Sequence, residues 1–262
     1  MTIRITEEFS QGLSLIAKGH HVLITGKAGT GKSTLLRTFL EKDSEKNILV
    51  TAPTGVAALN IDGYTIHRTF GFRPGMWPDD VKPGGDWILG TGIRSVLQAV
   101  DILVIDEISM VRADLFDMMN IALQRARNNQ KPFGGVQLIL VGDLLQLPPV
   151  VEDSEREIFS THWKSPFFFS AHCFESLHLQ NINLTHVWRQ SDSEFIEILN
   201  QVREGSVGQA ALDILNERVE PQFQAPDDWV TLASRKRTVA KINGEHLTAL
   251  PSEKFLAVAQ HS

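Results

Sequence analysis

Hydrophobic positions along this chain alternate between short apolar runs and longer stretches with helical spacing. Apolar side chains fill most of four short runs: residues 21–25, 47–52, 101–105 and 136–141. Strands that are buried on both faces of a sheet have this pattern. Between the runs, stretches such as residues 31–41 and 112–127 place apolar side chains on one face of a helix. Strands alternating with helices predict an α/β fold with a parallel sheet and flanking crossover helices.

The pattern becomes less regular after about residue 150. Helical spacing predicts three further helices: residues 193–203, 209–218 and 237–247. Residues 167–169, 182–184 and 229–233 predict further strands. The second part of the chain therefore continues the α/β organisation.

Residues 71–92 interrupt the alternation of strands and helices. They contain three prolines, six glycines and two tryptophans, and this composition predicts turns and a segment that leaves the core. An ordinary surface loop and a functional insertion both explain the composition, so the two interpretations stay open.

A glycine-rich segment, residues 26–33, lies between a predicted strand and a predicted helix and reads Gly-Lys-Ala-Gly-Thr-Gly-Lys-Ser. Glycines let successive backbone N–H groups turn towards phosphate oxygens, and the positive end of the following helix faces the same anion. This phosphate-binding loop predicts that Lys32 reaches the β- and γ-phosphates and that the Ser33 hydroxyl is a ligand of Mg²⁺. The predicted nucleotide-binding residues are Gly26, Lys27, Ala28, Gly29, Thr30, Gly31, Lys32, Ser33 and Thr34.

Two carboxylates, Asp106 and Glu107, end the apolar run at residues 101–105. Asp106 is placed to hold Mg²⁺ through its water shell, and Glu107 to act as the general base on the attacking water. Two acids at a strand end can also form a solvated turn, but the phosphate-binding loop favours the catalytic interpretation. The adjacent glutamate favours an ATPase over a small-molecule kinase, whose phosphoryl acceptor must replace water.

The apolar run at residues 136–141 continues as Gly-Asp-Leu-Leu-Gln-Leu-Pro-Pro. Gln146 lies just past this buried strand, where its amide can contact a γ-phosphate and report its loss. The prolines that follow stiffen the segment, so movement of the glutamine is transmitted along the chain. The position predicts a γ-phosphate sensor.

Composition and charge limit the class of protein. The net charge of −6 argues weakly against a protein that coats DNA through bulk electrostatics, although a local basic groove stays compatible with it. The sequence has neither an apolar run of membrane-span length nor the apolar core of a signal peptide. Its one cysteine, Cys173, excludes an intramolecular disulfide and is expected to be a buried structural thiol. A cytoplasmic protein without a targeting segment is expected.

Five segments carry a family resemblance: residues 26–34, 52–61, 63–67, 106–111 and 142–150. In this order they resemble the petite-integration-frequency (Pif) helicases, which are 5′→3′ DNA helicases of superfamily 1 related to the RecD group. The resemblance implies a P-loop NTPase with two RecA-like lobes, in which ATP hydrolysis drives translocation and duplex unwinding. It implies ATP and Mg²⁺ as cofactors, single-stranded and forked duplex DNA as partners, a monomer, and roles in DNA repair, recombination and telomere maintenance.

The resemblance also assigns roles to individual residues. Lys32, Ser33, Asp106 and Glu107 match the catalytic set of the first lobe, and Gln146 matches the γ-phosphate sensor. Arg189 matches an arginine that approaches the γ-phosphate from the junction of the lobes and stabilises transition-state charge.

Two segments match those that hold the single-stranded DNA backbone. The matching residues are Pro53, Thr54, Gly55, Val56, Thr65 and His67. Small residues with free N–H groups approach phosphates closely, and a hydroxyl and an imidazole donate to them. For His67, the alternative is a core histidine with satisfied hydrogen bonds. Residues 71–92 fall where the family inserts a small wedge subdomain that parts the strands.

The chain departs from the family pattern at two places. Phe9 occupies the position of a glutamine that reads adenine, although Gln11 is nearby, so the resemblance does not imply adenine selectivity. After Arg189, the later motifs with a Lys-Ser-Gln-Gly-like core and a final Ser-Arg element are missing. A first RecA-like ATPase lobe over residues 1–188 and a partial second lobe over residues 189–262 are therefore predicted.

Three alternatives stay open beside a helicase core. The missing motifs favour a fragment that binds ATP and DNA with little turnover. A RecD-like subunit would work only inside a larger nuclease–helicase assembly. An ATPase switch that acts on protein would hydrolyse ATP without DNA, but the segment at residues 52–67 argues against it.

Overall fold

The computed structural model describes residues 6–42, 45–188, 193–226, 229–252 and 255. The chain divides into two compact units, Met1–Val207 and Gly208–Ser262. The division into lobes at residues 188 and 189 stays a prediction, because compactness alone does not identify a lobe.

The first unit contains a parallel sheet of six strands in the order β3-β2-β4-β5-β1-β6. The strands are β1 (Val22–Gly26), β2 (Ile48–Ala52), β3 (Tyr64–Thr65), β4 (Ile102–Ile105), β5 (Gln137–Gly142) and β6 (Gln180–Leu184). The helices of its described residues are α1 (Glu7–Ala17), α2 (Lys32–Lys42), α3 (Gly55–Asn60), α4 (Ile66–Phe70), α5 (Pro78–Val81), α6 (Thr91–Ala99), α7 (Ala113–Arg127), α8 (Arg156–His162) and α9 (Ser193–Glu204). The predicted α/β fold with a parallel sheet is confirmed.

Strands β4 and β5 form the centre of the sheet, and all of their residues are buried. On one face, Val104 packs in a cluster with residues of α1 and α2, such as Ile16. On the other face, Leu103 packs in a cluster with residues of α4 to α7, such as Phe116. Because helices cover both faces, the central strands are apolar at nearly every position, with Gln137 at the start of β5 as the polar exception.

The six strands run in one direction, so their carboxyl ends lie along one edge of the sheet. The phosphate-binding loop follows β1 at this edge, and residues 53–56 follow β2. The carboxylates follow β4, and the segment that carries Gln146 follows β5. Ligands of open parallel sheets bind at this edge, and the fold thus gathers segments that lie far apart in the sequence.

The structure corrects two predicted strands. Residues Phe168–Ser170 form a 3₁₀ turn in which Phe168 is fully buried, and Phe167 pairs with Arg112 through an isolated antiparallel bridge. Residues 229–233 are irregular and exposed. Both strand predictions were wrong because an apolar run specifies burial or β propensity, whereas a strand also needs a neighbour to pair with. The strand predicted at 182–184 is confirmed within β6, which pairs with β1.

The segment at residues 71–92 contributes to the core, so the expectation that it leaves the core is wrong. Phe72, Val81 and Trp87 are buried in the cluster that covers β4 and β5. The Trp87 indole donates from Nε1 to the Phe70 carbonyl at 3.0 Å. The glycines and prolines give the turns that the composition predicted, and the apolar side chains between them are buried. A role as a strand-separating wedge stays a prediction.

The second unit contains α10 (Gln209–Asn216) and α11 (Lys236–Ala249). These helices, and α9 in the first unit, confirm the three helices predicted after residue 190. Ala211 of α10 is buried, whereas no residue of α11 is buried. Over the described part of the chain, no helix is both long enough and apolar enough to span a bilayer.

Candidate functional site

The phosphate-binding loop leaves β1 through a backbone turn that requires glycine. Gly26 has φ of +154°, and a Cβ atom there would lie 2.6 Å from both the Leu184 carbonyl oxygen and Thr30 Oγ1. Thr30 Oγ1 donates to the Lys27 carbonyl at 2.8 Å and thereby braces the loop. Helix α2 begins at Lys32, so its N-terminal N–H groups follow the loop directly.

Lys32 lies inside the loop. Its Nζ donates to the carbonyls of Gly26 at 2.7 Å and Lys27 at 3.1 Å. Burial lowers the pKa of Lys32, while the carboxylates of Asp143, Glu107 and Asp106 act in the opposite direction. The ammonium group is therefore held at the loop by carbonyl oxygens that phosphate oxygens can replace.

The two predicted catalytic carboxylates follow β4. Asp106 is buried, and its Oδ1 accepts the backbone N–H of Glu107 at 2.9 Å. Glu107 has a left-handed backbone, with φ of +51°, and is half-buried. Burial raises the pKa of both carboxyl groups, and the charge of Asp106 raises the pKa of Glu107 further. A raised pKa makes Glu107 a stronger base than an exposed glutamate.

A cavity of ≈ 680 Å³ lies at the carboxyl edge of the sheet. It is lined by Ser33, Thr34, Arg37, Thr54, Val56, Ala57, Asn60, Ile61, Asp106, Glu107, Ser109, Met110, Gln146 and Leu147. The fold thus brings together the end of the phosphate-binding loop, both predicted catalytic carboxylates and the predicted sensor. Thr54 and Val56, from a predicted DNA segment, border the same cavity.

The donor set at this cavity fits Mg²⁺. Ser33 and Asp106 offer hydroxyl and carboxylate oxygens, and Mg²⁺ is usually held by one or two carboxylates together with substrate phosphates and water. Among the residues that the structure describes, no group of three or more His, Cys, Asp and Glu side chains could hold a metal ion.

Gln146 lies in a turn that is organised by Asp143. The backbone N–H of Gln146 donates to the Asp143 carbonyl at 3.0 Å, and Asp143 Oδ1 accepts the N–H of Leu145 at 3.1 Å. The Gln146 side chain is exposed at the cavity. It is therefore free to turn towards a bound phosphate.

Arg189, the predicted second-lobe arginine, lies outside the described residues. The residue before it, Trp188, donates its backbone N–H to the Gly29 carbonyl at 2.8 Å. The chain therefore contacts the phosphate-binding loop one residue before Arg189. The role of Arg189 stays a prediction.

The predicted DNA-contacting residues form two helix starts. Thr54 Oγ1 accepts the N–H of Ala57 at 3.2 Å at the start of α3, and Thr65 Oγ1 accepts the N–H of Arg68 at 3.3 Å at the start of α4. Pro53 is half-buried, whereas Gly55 and Val56 are exposed. Each hydroxyl oxygen accepts a capping hydrogen bond, while its O–H can still donate to a phosphate. Contact with DNA stays a prediction.

His67 is exposed, so its interpretation as a core histidine is wrong. Burial of part of the ring lowers its pKa, and the nearby charges of Asp114 and Arg112 act in opposite directions. The exposed Tyr64 and the Arg68 guanidinium, which lies 5.0 Å from the ring centroid of Tyr64, flank it on the same segment. Analysis of the sequence missed this pair, although an aromatic and a basic residue beside the Thr-Ile-His motif were a usable signal.

Other residues at the site were also missed by the sequence analysis. Ser109 is fully buried, and its Oγ has no hydrogen-bond partner in the described part of the chain. Arg203 forms an ion pair with the buried Asp143. A serine after two acids gave a weak local signal, whereas nothing near Arg203 in the sequence indicated its partner.

Two residues singled out in the sequence are buried in the core, and one of them, Cys173, was expected to be. Cys173 is buried, and burial raises the pKa of its thiol far above the ordinary value. It is therefore inert at neutral pH, as a structural thiol should be. Phe9, at the position of the adenine-reading glutamine, is 5% exposed and packs in the same cluster as Ile16 and Leu36. A buried phenylalanine offers no polar group to a base.

Comparison with known proteins shows one family model that matches most of the chain. The model of the PIF1-like helicase family matches residues 7–212. The chain is similar to the ATP-dependent DNA helicase PIF1 of Rattus norvegicus, with 39% identity over 253 residues, which cover 95% of this chain and 38% of that protein. It therefore spans well under half the length of this relative.

Solved structures of Pif1 helicases are similar to this chain in fold. The chain is similar to the Pif1 helicase from Bacteroides in complex with ADP-AlF3 and single-stranded DNA, with 36% identity and a TM-score of 0.86 over 96% of this chain and 59% of that one. It is also similar to a structure of two coordinating Pif1 helicases at forked double-stranded DNA, with 37% identity and a TM-score of 0.84 over 94% and 58% of the two chains. The predicted RecA-like P-loop fold is confirmed.

Proposed function

The chain belongs to the PIF1-like helicase family, and from this premise we propose that it binds and hydrolyses ATP. Hydrolysis drives 5′→3′ movement along single-stranded DNA and the unwinding of forked duplex DNA. The observation that carries the proposal is the cavity that Ser33, Glu107, Gln146 and Thr54 line together. Groups for phosphate binding, water activation and phosphate sensing thus border a segment matched to DNA.

Phosphate binding uses the loop and the start of α2. Backbone N–H groups of the loop and the helix N-terminus face the phosphates. Lys32 exchanges the carbonyls of Gly26 and Lys27 for β- and γ-phosphate oxygens. This exchange costs little, because one set of oxygen acceptors replaces another.

Hydrolysis uses the carboxylate of Glu107. It accepts a proton from the water that attacks the γ-phosphorus, while the bond between that phosphorus and the β–γ bridging oxygen breaks. Gln146 contacts the γ-phosphate, and its turn relaxes when the phosphate leaves. Ser33 and Asp106 would hold Mg²⁺, which would neutralise phosphate charge when bound.

DNA binding uses the segments that follow β2 and β3. The exposed Gly55 and Val56 let the backbone of α3 approach phosphates, and His67 and Arg68 offer donors. Similarity to helicases solved with single-stranded and forked DNA supports this assignment. A monomeric state, selectivity for adenine and a cytoplasmic location stay predictions.

Steady-state ATP hydrolysis with and without single-stranded DNA tests the proposal. Strong stimulation by DNA is expected, and Lys32→Ala should remove turnover because it deletes the cation that reaches the transferred phosphate. Lys241→Ala is the matched control, because Lys241 is exposed in the second unit and pairs with Glu245 on the same helix. DNA-independent hydrolysis would instead favour an ATPase switch that acts on protein.

A binding fragment with little turnover is the second candidate. It is favoured by the length of the chain, which spans 38% of the rat relative. In that case ATP binds, but turnover stays at the level of Lys32→Ala even with DNA present. Activity that appears only after addition of a protein partner would point to a RecD-like subunit.

A further inference from the structure

A buried ion pair joins the turn at residues 143–146, here called the sensor turn, to helix α9. Asp143, the residue after β5, has a side chain that is 1% exposed, and Arg203 lies near the end of α9. The Arg203 guanidinium donates from Nε to Oδ2 at 3.0 Å and from Nη2 to Oδ1 at 2.8 Å. Two parallel hydrogen bonds of this kind fix the relative orientation of both groups.

The same carboxylate shapes the turn that carries Gln146. Asp143 Oδ1 accepts the N–H of Leu145 as well as the guanidinium, and the Asp143 carbonyl accepts the N–H of Gln146. The orientation of the Asp143 side chain and the path of the turn are therefore coupled. Arg203 holds the group around which the sensor turn is built.

Lys32 is the second cation that acts on Asp143. Burial raises the pKa of Asp143, but the hydrogen bonds from Arg203 and Leu145, together with the charges of Arg203 and Lys32, hold that pKa below its ordinary value. Asp143 is in turn the foremost of the charges that oppose the effect of burial on the pKa of Lys32. A buried carboxylate that loses its partner is strongly unfavourable, and Lys32 is the cation that could compensate it.

The end of α9 also contacts the phosphate-binding loop. Glu204 Oε1 lies 3.7 Å from Lys27 Nζ, and both side chains are partly exposed, so this pair is weak. Consecutive residues of one helix thus face the sensor turn and the loop. The stronger of the two contacts is the buried pair of Arg203 and Asp143.

We propose that Arg203 is a positioning residue of the nucleotide site. It holds Asp143 in the sensor turn and prevents this carboxylate from drawing Lys32 away from the phosphates. Arg203 acts through Asp143 and not by contact with the nucleotide. This inference rests on the proposed function of the phosphate-binding loop.

Binding of a fluorescent ATP analogue tests the inference in three variants. Arg203→Gln should raise Kd about tenfold, because the unpaired Asp143 recruits Lys32. Asp143→Asn together with Arg203→Gln should return Kd to within about threefold of the parent, because the competing charge is gone. Arg203→Lys keeps a cation at this position but loses the two parallel hydrogen bonds, so its Kd should lie between those of the parent and of Arg203→Gln.

The double variant separates positioning from a merely structural role. If the pair only stabilised the fold, the double variant would bind no more tightly than Arg203→Gln, and that result would overturn the inference. An unchanged Kd in Arg203→Gln, or a Kd for Arg203→Lys as high as that of Arg203→Gln, would overturn it as well. Thermal unfolding of each variant checks that the comparison is made on folded protein.

Arg156→Gln is the matched control for removal of an arginine from an ion pair. Its partner is Asp153, at 3.1 Å, and the two side chains are 71% and 92% exposed, so Kd should not change. If the parent chain itself binds no nucleotide, the proposed function fails and this inference fails with it. If the parent binds and Arg203→Gln binds equally well, only the inference fails.

Discussion

The two compact units of this chain use their apolar side chains differently. In Met1–Val207, strands β4 and β5 are buried along their whole length, and Phe116 is fully buried beside Phe133 and Phe168. In Gly208–Ser262, Leu232 is 91% exposed and Phe255 is 93% exposed. Within the described residues, the first unit builds a large buried apolar core, whereas in the second unit Ala211 alone among the apolar side chains is buried.

This difference shows which structure forms from local sequence and which needs tertiary packing. Helix α11 forms with Lys241 and Glu245 paired one turn apart, yet none of its residues is buried. Such a pair contributes only a few tenths of a kcal/mol, and helices in proteins depend mainly on packing. Preorganised catalytic groups need a closed core beneath them, and the described candidate residues accordingly lie in the first unit.

The largest expected contrast is in kcat, when a glutamate is replaced by glutamine in each of the two units. Glu107→Gln should lower kcat about 10²- to 10⁴-fold, because the amide cannot accept the proton of the attacking water. Binding of ATP should be largely retained. Glu245→Gln removes an exposed glutamate of the second unit and should leave kcat unchanged. Rapid-quench or steady-state measurement of turnover checks both, and normal turnover in Glu107→Gln would refute its role as the base.

A second contrast concerns stability. Phe116→Ala should lower the free energy of unfolding by about 3–5 kcal/mol, because it empties a site between buried aromatic rings. Phe255→Ala makes the same chemical change at a residue that is 93% exposed, and the effect should stay within about 0.5 kcal/mol. Urea unfolding followed by circular dichroism gives both values. Equal costs would mean that the second unit buries Phe255 in solution.

The smallest expected effect is a pH dependence of turnover. Burial and the charge of Asp106 raise the pKa of Glu107 above its ordinary value of 4.5. The base must be ionised, so kcat should fall as pH decreases through this raised pKa. Protonation of the same group favours the folded state, because the folded chain binds that proton more tightly.

A pH titration of kcat at saturating ATP, with circular dichroism at each pH, measures the effect. Loss of activity should precede any unfolding, and the Glu245→Gln control should have the same profile. An inflection at or below 4.5 would contradict the raised pKa.

Local sequence was sufficient for the phosphate-binding loop and the strands beside it. The loop was predictable because Gly26 meets a local backbone requirement, with φ of +154°. The strands β4 and β5 were predictable because burial on both faces makes nearly every position apolar. Glu107 and Gln146 followed from their places just after these strands.

Local sequence failed where the partner of a segment decided its structure. The three phenylalanines at residues 167–169 predicted a strand, but residues Phe168–Ser170 form a 3₁₀ turn in which Phe168 is buried. Residues 229–233 have β propensity but are irregular. The glycines and prolines of residues 71–92 predicted an exposed segment, but Phe72, Val81 and Trp87 pack in the cluster with α7 and the sheet. In each case propensity was a weak prior that tertiary packing overrode.

The sequence by itself determined which chemical groups each segment carries. These are a phosphate-binding loop, two carboxylates at a strand end and a glutamine after the next strand. The tertiary structure decided which of these groups share a cavity, because a parallel sheet brings distant strand ends to one edge. It also decided that Asp143 pairs with Arg203, which lies 60 residues away. A buried carboxylate needs hydrogen-bond donors, and only the folded chain determines which of them lie within reach.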